Sequence, residues 1–497
     1  MEISRHPNPP RLSAVELEAS SLILAVDQGG HASRAIVFDL SGRQLAQASR
    51  PIATRRTGTD RVEHDPLEIV ATTREAIRDV CETLGDAGVH LKASGLATQR
   101  SSIVSWDRGT GAPLSPVLSW QDRRGLPQVE ALRDHADFIR ERTGLVLSPH
   151  YGASKMRWSM DNLSKVQAAL AGNRLAMGPL STYLLYSLLP SRPFVVDPAN
   201  ASRTQLWDVH TADWSEPLCG LFGVPRGVLP RSTRSRSTFV LLNTRTPLTV
   251  CTGDQAAALF AHGKLRMGTA YLNIGTGAFL QCVLPETSRE IAPLLQSIAW
   301  WGVADDSRLT VMEGTINGAG SAIDWVDDRL SLDAHAVTRT LTAAQVQVLH
   351  PPIFINGVSG VGSPYWLPRL ESRWLDDGID HGELEQLVAV IESIAFLICA
   401  NLEAMRSKGA DLQQVLASGG LSASDYLCHC IAALGQIEVI RTGQPEMTAA
   451  GLAFLTAGEP ESWHPPPQIT VFKPSLDGFL QKRRAAWAAV MAGAALA

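Results

Sequence analysis

No uncharged apolar run in the chain approaches the ~18 residues that a membrane-crossing helix needs, so no membrane span is expected. The first twenty residues, MEISRHPNPPRLSAVELEAS, carry charges and prolines where a secretory leader has an apolar stretch. Residues 1–20 therefore read as a loose tail on a cytoplasmic protein. An excess of positive charge is also missing. Lys and Arg number 44 against 49 Asp and Glu, a net charge of −5, which argues against nucleic acid or an anionic membrane as the main partner. Cysteine is sparse: seven residues, an odd number, widely scattered and without a CxxC pair. A chain this long needs neither disulfides nor a metal to complete its core. Cys428-His429-Cys430 falls in a helical stretch, where positions i and i+2 do not share a face, and reads as partly buried thiols. Two nucleotide-binding signatures are absent. There is no GxxxxGK[ST], which excludes a P-loop, and no GxGxxG between a strand and a helix, which argues against a dinucleotide-binding dehydrogenase.

What is present is ordinary globular composition, 45% hydrophobic and 19% charged over 497 residues, enough for two or three domains. Residues 22–26 form an apolar run suited to a buried strand, ending in the turn Asp27-Gln28-Gly29-Gly30. Residues 33–40 read as a returning strand and 43–48 as a third. Residues 65–84 have helical periodicity, with Pro66 just inside the start, where its missing N–H is harmless. The second half repeats the design. Residues 270–274 are strand-like, Gly275-Thr276-Gly277 turns the chain, and residues 278–284 return, a hint of internal duplication. Residues 230–247 are rich in Arg, Ser and Thr and bounded by prolines, which places a domain boundary near residue 248: a first domain over 21–248 and a second over 249–497.

Consecutive N–H groups in a glycine bend form a concave anion site, and glycine allows phosphate to approach the backbone. Bends at Gly29-Gly30, Gly275-Thr276-Gly277 and Gly419-Gly420 suit a polyphosphate together, although any one alone is more often structural.

The segments LILAVDQGGHASRAIVFD, VEHDP, GLATQRSSIVSWDRGTGAPLSPVLSWQDRR, NASRTQLWDVHTADW, TGDQAAALF, NIGTGAF, GAGSAIDW, SGVGSPYW and ASGGLSASD, in this order, span residues 22–458. In them the chain resembles the FGGY carbohydrate kinase family, and within it the glycerol kinase branch. The resemblance implies an α/β fold of two ribonuclease-H-like (actin-like ATPase) domains around a central cleft that takes ATP, Mg²⁺ and a sugar or polyol. Many members are dimers or tetramers; no segment here identifies an interface. The implied chemistry is transfer of the ATP γ-phosphoryl group to a hydroxyl, which rests on positioning, charge neutralisation and a carboxylate that accepts the proton.

By this resemblance Asp254 is the catalytic base, near a helix start that favours its ionised form. Its bland alternative is a helix cap. Asp27 is the acidic residue beside the Mg²⁺-phosphate, where one carboxylate suffices. Gly29, Gly30, His31 and Arg34 line the first phosphate turn, with a surface charge as the alternative for Arg34. Gly275 and Thr276 are the second-domain phosphate contact. Gly320 and Asp324 line the nucleotide, Asp324 replacing a family glutamine. Gly419, Gly420 and Ser424 match the adenine side, Ser424 replacing an asparagine. Arg100, Ser101, His150, Asp254 and Gln255 face the acceptor. Trp106, Trp120, Trp325 and Trp366 lie in family-like segments and suit core packing, with stacking on a sugar or base as the alternative.

Three positions depart from the glycerol branch. Threonines that follow DQG in the branch are Gly30-His31 here; His31 either donates to a phosphate oxygen or points away, and an imidazole titrates near neutrality. The acceptor-site glutamate is Ser101, a change that removes a charge-assisted bond of about 1.5–3 kcal/mol and leaves space. The acceptor-site tyrosine is His150, while Tyr151 faces the other way in an extended segment. Glycerol, a tetritol, a pentitol, a ketose and a modified sugar all remain open. The competing readings are a degenerate kinase that senses a ligand with little or no transfer, motivated by Gly30-His31, and an actin- or chaperone-like ATPase, which would lack the pattern around Arg100 and Asp254-Gln255.

Overall fold

The computed structural model describes residues 22–85, 91–240, 246–286, 288, 290–302, 308–375, 378–443 and 446–496; the expected N-terminal tail lies outside them. The chain divides into two compact units. One comprises residues up to Lys264 together with Ser297–Leu309 and Glu446–Pro465; the other comprises Leu265–Gln296, Thr310–Pro445 and the residues from Pro466 on.

The first unit is built on a sheet in which strand Leu22–Gln28 is central and buried along its whole length. Asp27-Gln28-Gly29-Gly30 reverses the chain into the antiparallel strand Ala32–Phe38, which Gln44–Pro51 extends in turn. On the other side Leu91–Thr98 lies parallel to the first strand, and Pro247–Gly253 lies parallel to that, with Arg236–Val240 at the edge. Helix Pro66–Leu84 is capped by Asp65, whose carboxylate accepts from Leu67 N–H, and carries Pro66 in its first turn as expected. It buries Ile69, Val70, Ala76, Ile77 and Val80 against Leu22, Leu24, Val26, Ala35 and Val37. Helix Met447–Ala457 also packs on this sheet, where a side chain at Gly95 would collide with Leu452 and Thr456. A second, five-stranded sheet (order 55–57, 61–64, 117–118, 103–107, 175–179) and helix Gly152–Asn162 add to this framework.

The second unit repeats the main sheet. Thr269–Ile274 is central, Ala278–Val283 and Arg308–Ile316 follow antiparallel, and Gln414–Ser418 and Glu438–Thr442 lie parallel on the far side. Each main sheet thus has a central strand with two antiparallel strands on one side and two parallel ones on the other, the α/β arrangement the sequence implied. The division expected at residue 248 cuts strand Pro247–Gly253. That strand is hydrogen-bonded into the first sheet, so Asp254 and Gln255 belong to the first unit and not to the second.

Helix Glu383–Ser407 is long and apolar enough to cross a membrane by length and composition. Glu392 divides its apolar residues, so no uncharged run of that length stands in the sequence. In the structure it is the core helix of the second unit, and Glu392 is buried with Arg483 and Tyr426 on its two carboxylate oxygens. Six of the seven cysteines are buried thiols and Cys81 is partly buried.

Candidate active site

In the first unit, two strand ends place the carboxylates. Asp27 closes the central strand and lies opposite Arg34 across the hairpin. Arg34 Nη1 stands 3.4 Å from Asp27 Oδ2, and its Nε stands 3.9 Å from Glu446 Oε2. Gly29 lies beneath this arginine: a Cβ there would be 3.5 Å from Nη1. Burial pushes the Asp27 carboxyl up to about 7; Arg34 opposes the shift, and the charges of Asp254 and Glu446 add to it. Asp27 thus feels the charges of Asp254 and Glu446 while Arg34 pairs with it, and Asp254 has a guanidinium of its own in Arg100.

Asp254 follows Pro247–Gly253 directly and is the first residue of helix Asp254–Leu259. The cap position belongs to Gly253, so Asp254 is not the helix cap that its bland reading required. Its Oδ1 accepts from Gln255 N–H at 2.7 Å and lies 3.8 Å from Arg100 Nε. The arginine is seated on Gly253, where a Cβ would come within 2.6 Å of its Cγ and Cδ. Asp254 is one-quarter exposed and Arg100 nearly buried, so the pair presents an accessible carboxylate against a fixed cation.

The segment after strand Leu91–Thr98 is pinned from several sides. Gln99 Nε2 donates to Gly29 O at 3.3 Å, and Ser102 Oγ both donates to Gln99 Oε1 at 2.9 Å and accepts from Trp120 N–H at 3.0 Å. Ser101 is buried with φ 64°, a left-handed conformation that a serine holds only where its surroundings enforce it. Its carbonyl accepts from Lys155 Nζ at 3.1 Å; His150 O accepts from the same nitrogen at 2.7 Å. His150 is half-buried and edge-on to Trp120, ring centroids 5.4 Å apart, while Tyr151 is buried. Trp120 Nε1 would lie 3.9 Å from a Cβ at Gly30, so one indole adjoins both the phosphate turn and His150. His31 is exposed. Of the tryptophans singled out, Trp106 is core, in contact with Tyr183, Tyr186 and Phe194, and Trp325 packs on Phe354 and Trp374. Trp366 donates to Pro293 O.

In the second unit, Gly275-Thr276-Gly277 forms a tight bend, with Gly275 N–H donating to Gly277 O at 2.8 Å. The bend is bound to the start of helix Gly320–Asp327: Gly320 N–H donates to Gly275 O and Ser321 N–H to Thr276 O, both at 2.9 Å. A Cβ at Gly320 would lie 2.7 Å from Gly275 O, which accounts for glycine there. Thr276 is exposed on the bend. Gly419, at φ 90°, fits against Ile274 O, and a side chain at Gly420 would meet open space. Two expected nucleotide contacts stand apart. Ser424 is buried, and its hydroxyl caps helix Asp425–Gly435 by accepting from Leu427 N–H. Asp324 is exposed and pairs with His335 Nε2 at 3.0 Å.

Sequence reasoning missed Glu446 and Lys155. Glu446 precedes an apolar helix and reads there as a plain helix-start acid. Lys155 is a lone cation among small residues, at a position whose burial no local pattern reveals.

Comparison with known proteins gives a consistent picture. The chain matches the FGGY family of carbohydrate kinases, N-terminal domain, over residues 22–261, and the C-terminal domain over residues 270–458. It is 33% identical over 444 residues to a glycerol kinase of Citrifermentans bemidjiense, covering 87% of this chain and 89% of that one. A glycerol kinase of Mycoplasmoides gallisepticum is 30% identical over 482 residues, with 93% and 94% covered. Among solved structures, Plasmodium falciparum glycerol kinase with ADP superposes with a TM-score of 0.86 at 22% identity, covering 96% of this chain and 98% of that chain. A Brucella ovis xylulose kinase superposes with a TM-score of 0.82 at 22% identity, covering 95% and 99%.

Proposed function

The chain belongs to the FGGY family of carbohydrate kinases and is a phosphotransferase acting on an alcohol group, and on that premise we propose that Asp254 deprotonates a hydroxyl of a small polyol or sugar held by Arg100, Ser101, His150 and Gln255. The observation that carries this reading is the Arg100–Asp254 pair seated on Gly253. A partly exposed carboxylate held against a buried guanidinium is oriented, and an oriented carboxylate aligns the hydroxyl that hydrogen-bonds to it. The hydroxyl oxygen forms the new bond to the γ-phosphorus of ATP, the bond from that phosphorus to the bridging oxygen breaks, and the proton passes to Asp254.

Asp27 would hold the magnesium ion that accompanies the nucleotide, one carboxylate sufficing beside phosphate oxygens and water; the ion would supply neutralisation of phosphate charge. Arg34 keeps Asp27 in place through their ion pair and is itself kept in place by Glu446. Within their bends Gly30, Thr276 and Gly420 would offer backbone N–H groups to phosphate, those of Gly29 and Gly275 being bound to Ala32 O and Gly277 O.

Glycerol, the acceptor named for the relatives, is not assigned to this chain. Ser101 and His150 stand where the glycerol branch has an acid and a phenol, and both changes open the acceptor side to a longer molecule. The test is a coupled ADP-release assay with Mg²⁺-ATP against glycerol, tetritols, pentitols, ketopentoses and ketohexoses, with Asp254→Asn as the blank. The expected result is turnover of one compound class, reduced at least ~10³-fold in the variant. ATP binding without turnover of any acceptor, relieved when Gly30 and His31 are both replaced by threonine, would leave the sensor reading standing instead.

A further inference from the structure

We propose that Lys155 is a positioning residue for the acceptor: by bonding the carbonyls of both Ser101 and His150 it fixes the spacing of the two side chains that select the substrate. This rests on the reading that those two residues face the acceptor. Lys155 is completely buried on helix Gly152–Asn162. A buried lysine is costly unless its nitrogen is satisfied, so a conformation that wastes its donors is not available to it. Here two donors go to the two loops that carry the departures from the glycerol branch. Ser101 needs such a tie most. At φ 64° its backbone is in a region that a non-glycine residue leaves when support is removed, and Lys155 supplies the hydrogen bond to its carbonyl. Gln99 and Ser102, which bracket Arg100-Ser101, are bound to Gly29 and Trp120, and Lys155 joins Ser101 to His150.

The tie does not depend on the charge of the amine. Burial pulls Lys155 down to about 7, with Asp122 opposing the shift and Arg124 adding to it. A neutral amine still has two N–H groups, enough for two carbonyls. The bond count therefore holds on both sides of neutrality, and what fixes the loops is geometry.

The test is steady-state kinetics of Lys155→Met, Lys155→Arg and Lys155→Gln with the acceptor identified for the wild-type enzyme, varying acceptor and ATP separately. Methionine keeps the stem and removes the donors; arginine restores donors. The expected result for Lys155→Met is an acceptor KM raised at least ~10-fold, an ATP KM within twofold of wild type, and weaker discrimination between acceptors of different length, with Lys155→Arg recovering part of the loss. A merely structural lysine lowers the melting temperature and leaves this asymmetry out. An unchanged acceptor KM, or equal changes in both KM values, overturns the proposal. If Lys155→Met does not fold, Lys155→Gln is read by the same criteria, and failure of both to fold assigns the residue to the core and overturns it too. Ser101→Ala and His150→Ala are measured alongside. If neither alters acceptor KM, the acceptor reading itself fails; if they do and Lys155→Met does not, only the positioning role fails.

Discussion

Gly253→Ala tests the active-site geometry through a single methyl group. The backbone at Gly253 is extended, at φ −83° and ψ 152°, so alanine introduces no torsional strain. Its Cβ, however, would lie 2.6 Å from Cγ and Cδ of Arg100, about 1 Å inside ordinary contact. The arginine is the flexible partner and moves. A shift of that size takes Nε well beyond its 3.8 Å from Asp254 Oδ1 and releases the carboxylate it orients. Misplacement by about 1 Å at a reacting centre costs on the order of 10²-fold in rate. The fold is nearly indifferent, since Gly→Ala at a compatible backbone position stabilises by about 0.4–1 kcal/mol through the unfolded chain. The expected outcome is a melting temperature close to wild type with kcat/KM down about 100-fold in the ADP-release assay. A double-mutant cycle separates the mechanism from general damage. In an Arg100→Ala background the methyl group has nothing to displace, so the second substitution changes little, and the coupling is about 2.7 kcal/mol. Wild-type kcat/KM in Gly253→Ala, or equal losses in both backgrounds, would refute the reasoning.

Ser101→Glu combined with His150→Tyr restores the side chains of the glycerol branch and is expected to raise kcat/KM for glycerol about 10- to 100-fold relative to longer acceptors, as measured in the same panel. Gly320→Ala drives a methyl group to 2.7 Å from Gly275 O, a backbone atom that cannot swing aside; the Thr276 bend shifts, and ATP KM is expected to rise about 10-fold while acceptor KM changes little. His262 is held at about 4 by burial, below its ordinary 6.5. The unfolded chain therefore binds the proton that the folded chain refuses, and stability falls as pH drops from 6.5 toward 4. Between pH 7.5 and 5 the loss is about 2 kcal/mol, measurable by urea melts, and His262→Gln is expected to flatten that part of the profile.

Local signals in the sequence were read correctly where local physics decides the outcome. Asp65-Pro66 marks the start of helix Pro66–Leu84 because capping and a missing N–H act within one turn. The buried run at residues 22–26 and the glycines after Asp27 define a hairpin for the same reason. The boundary near 248 was misplaced because strand Pro247–Gly253 joins the first sheet by pairing with Leu91–Thr98, a partner that no neighbouring residue announces. Glu446 was invisible on similar grounds: its partner Arg34 lies near the other end of the chain. Asp27, Arg100, Asp254 and Gly275-Thr276 were singled out through motif likeness, as were Ser424 and Asp324, whose local partners that route does not reveal. Each matches a family position, yet a local hydrogen bond to Leu427 and an ion pair to His335 engage their side chains.

Helix Met447–Ala457 belongs to the first unit but is made long after most of it. About 180 residues separate Lys264 from Glu446, so at 5–20 residues per second the nascent first unit waits roughly 10–35 s for its final piece. During that interval the surface beside Gly95 that receives Leu452 and Thr456 is uncovered, as is the groove where Ala257 meets Gly451. The half-made protein therefore presents a sticky apolar face to its surroundings. Arg34 also lacks its Glu446 neighbour until the same moment, so a chain released early is missing part of the charge arrangement around Asp27 as well as part of its core.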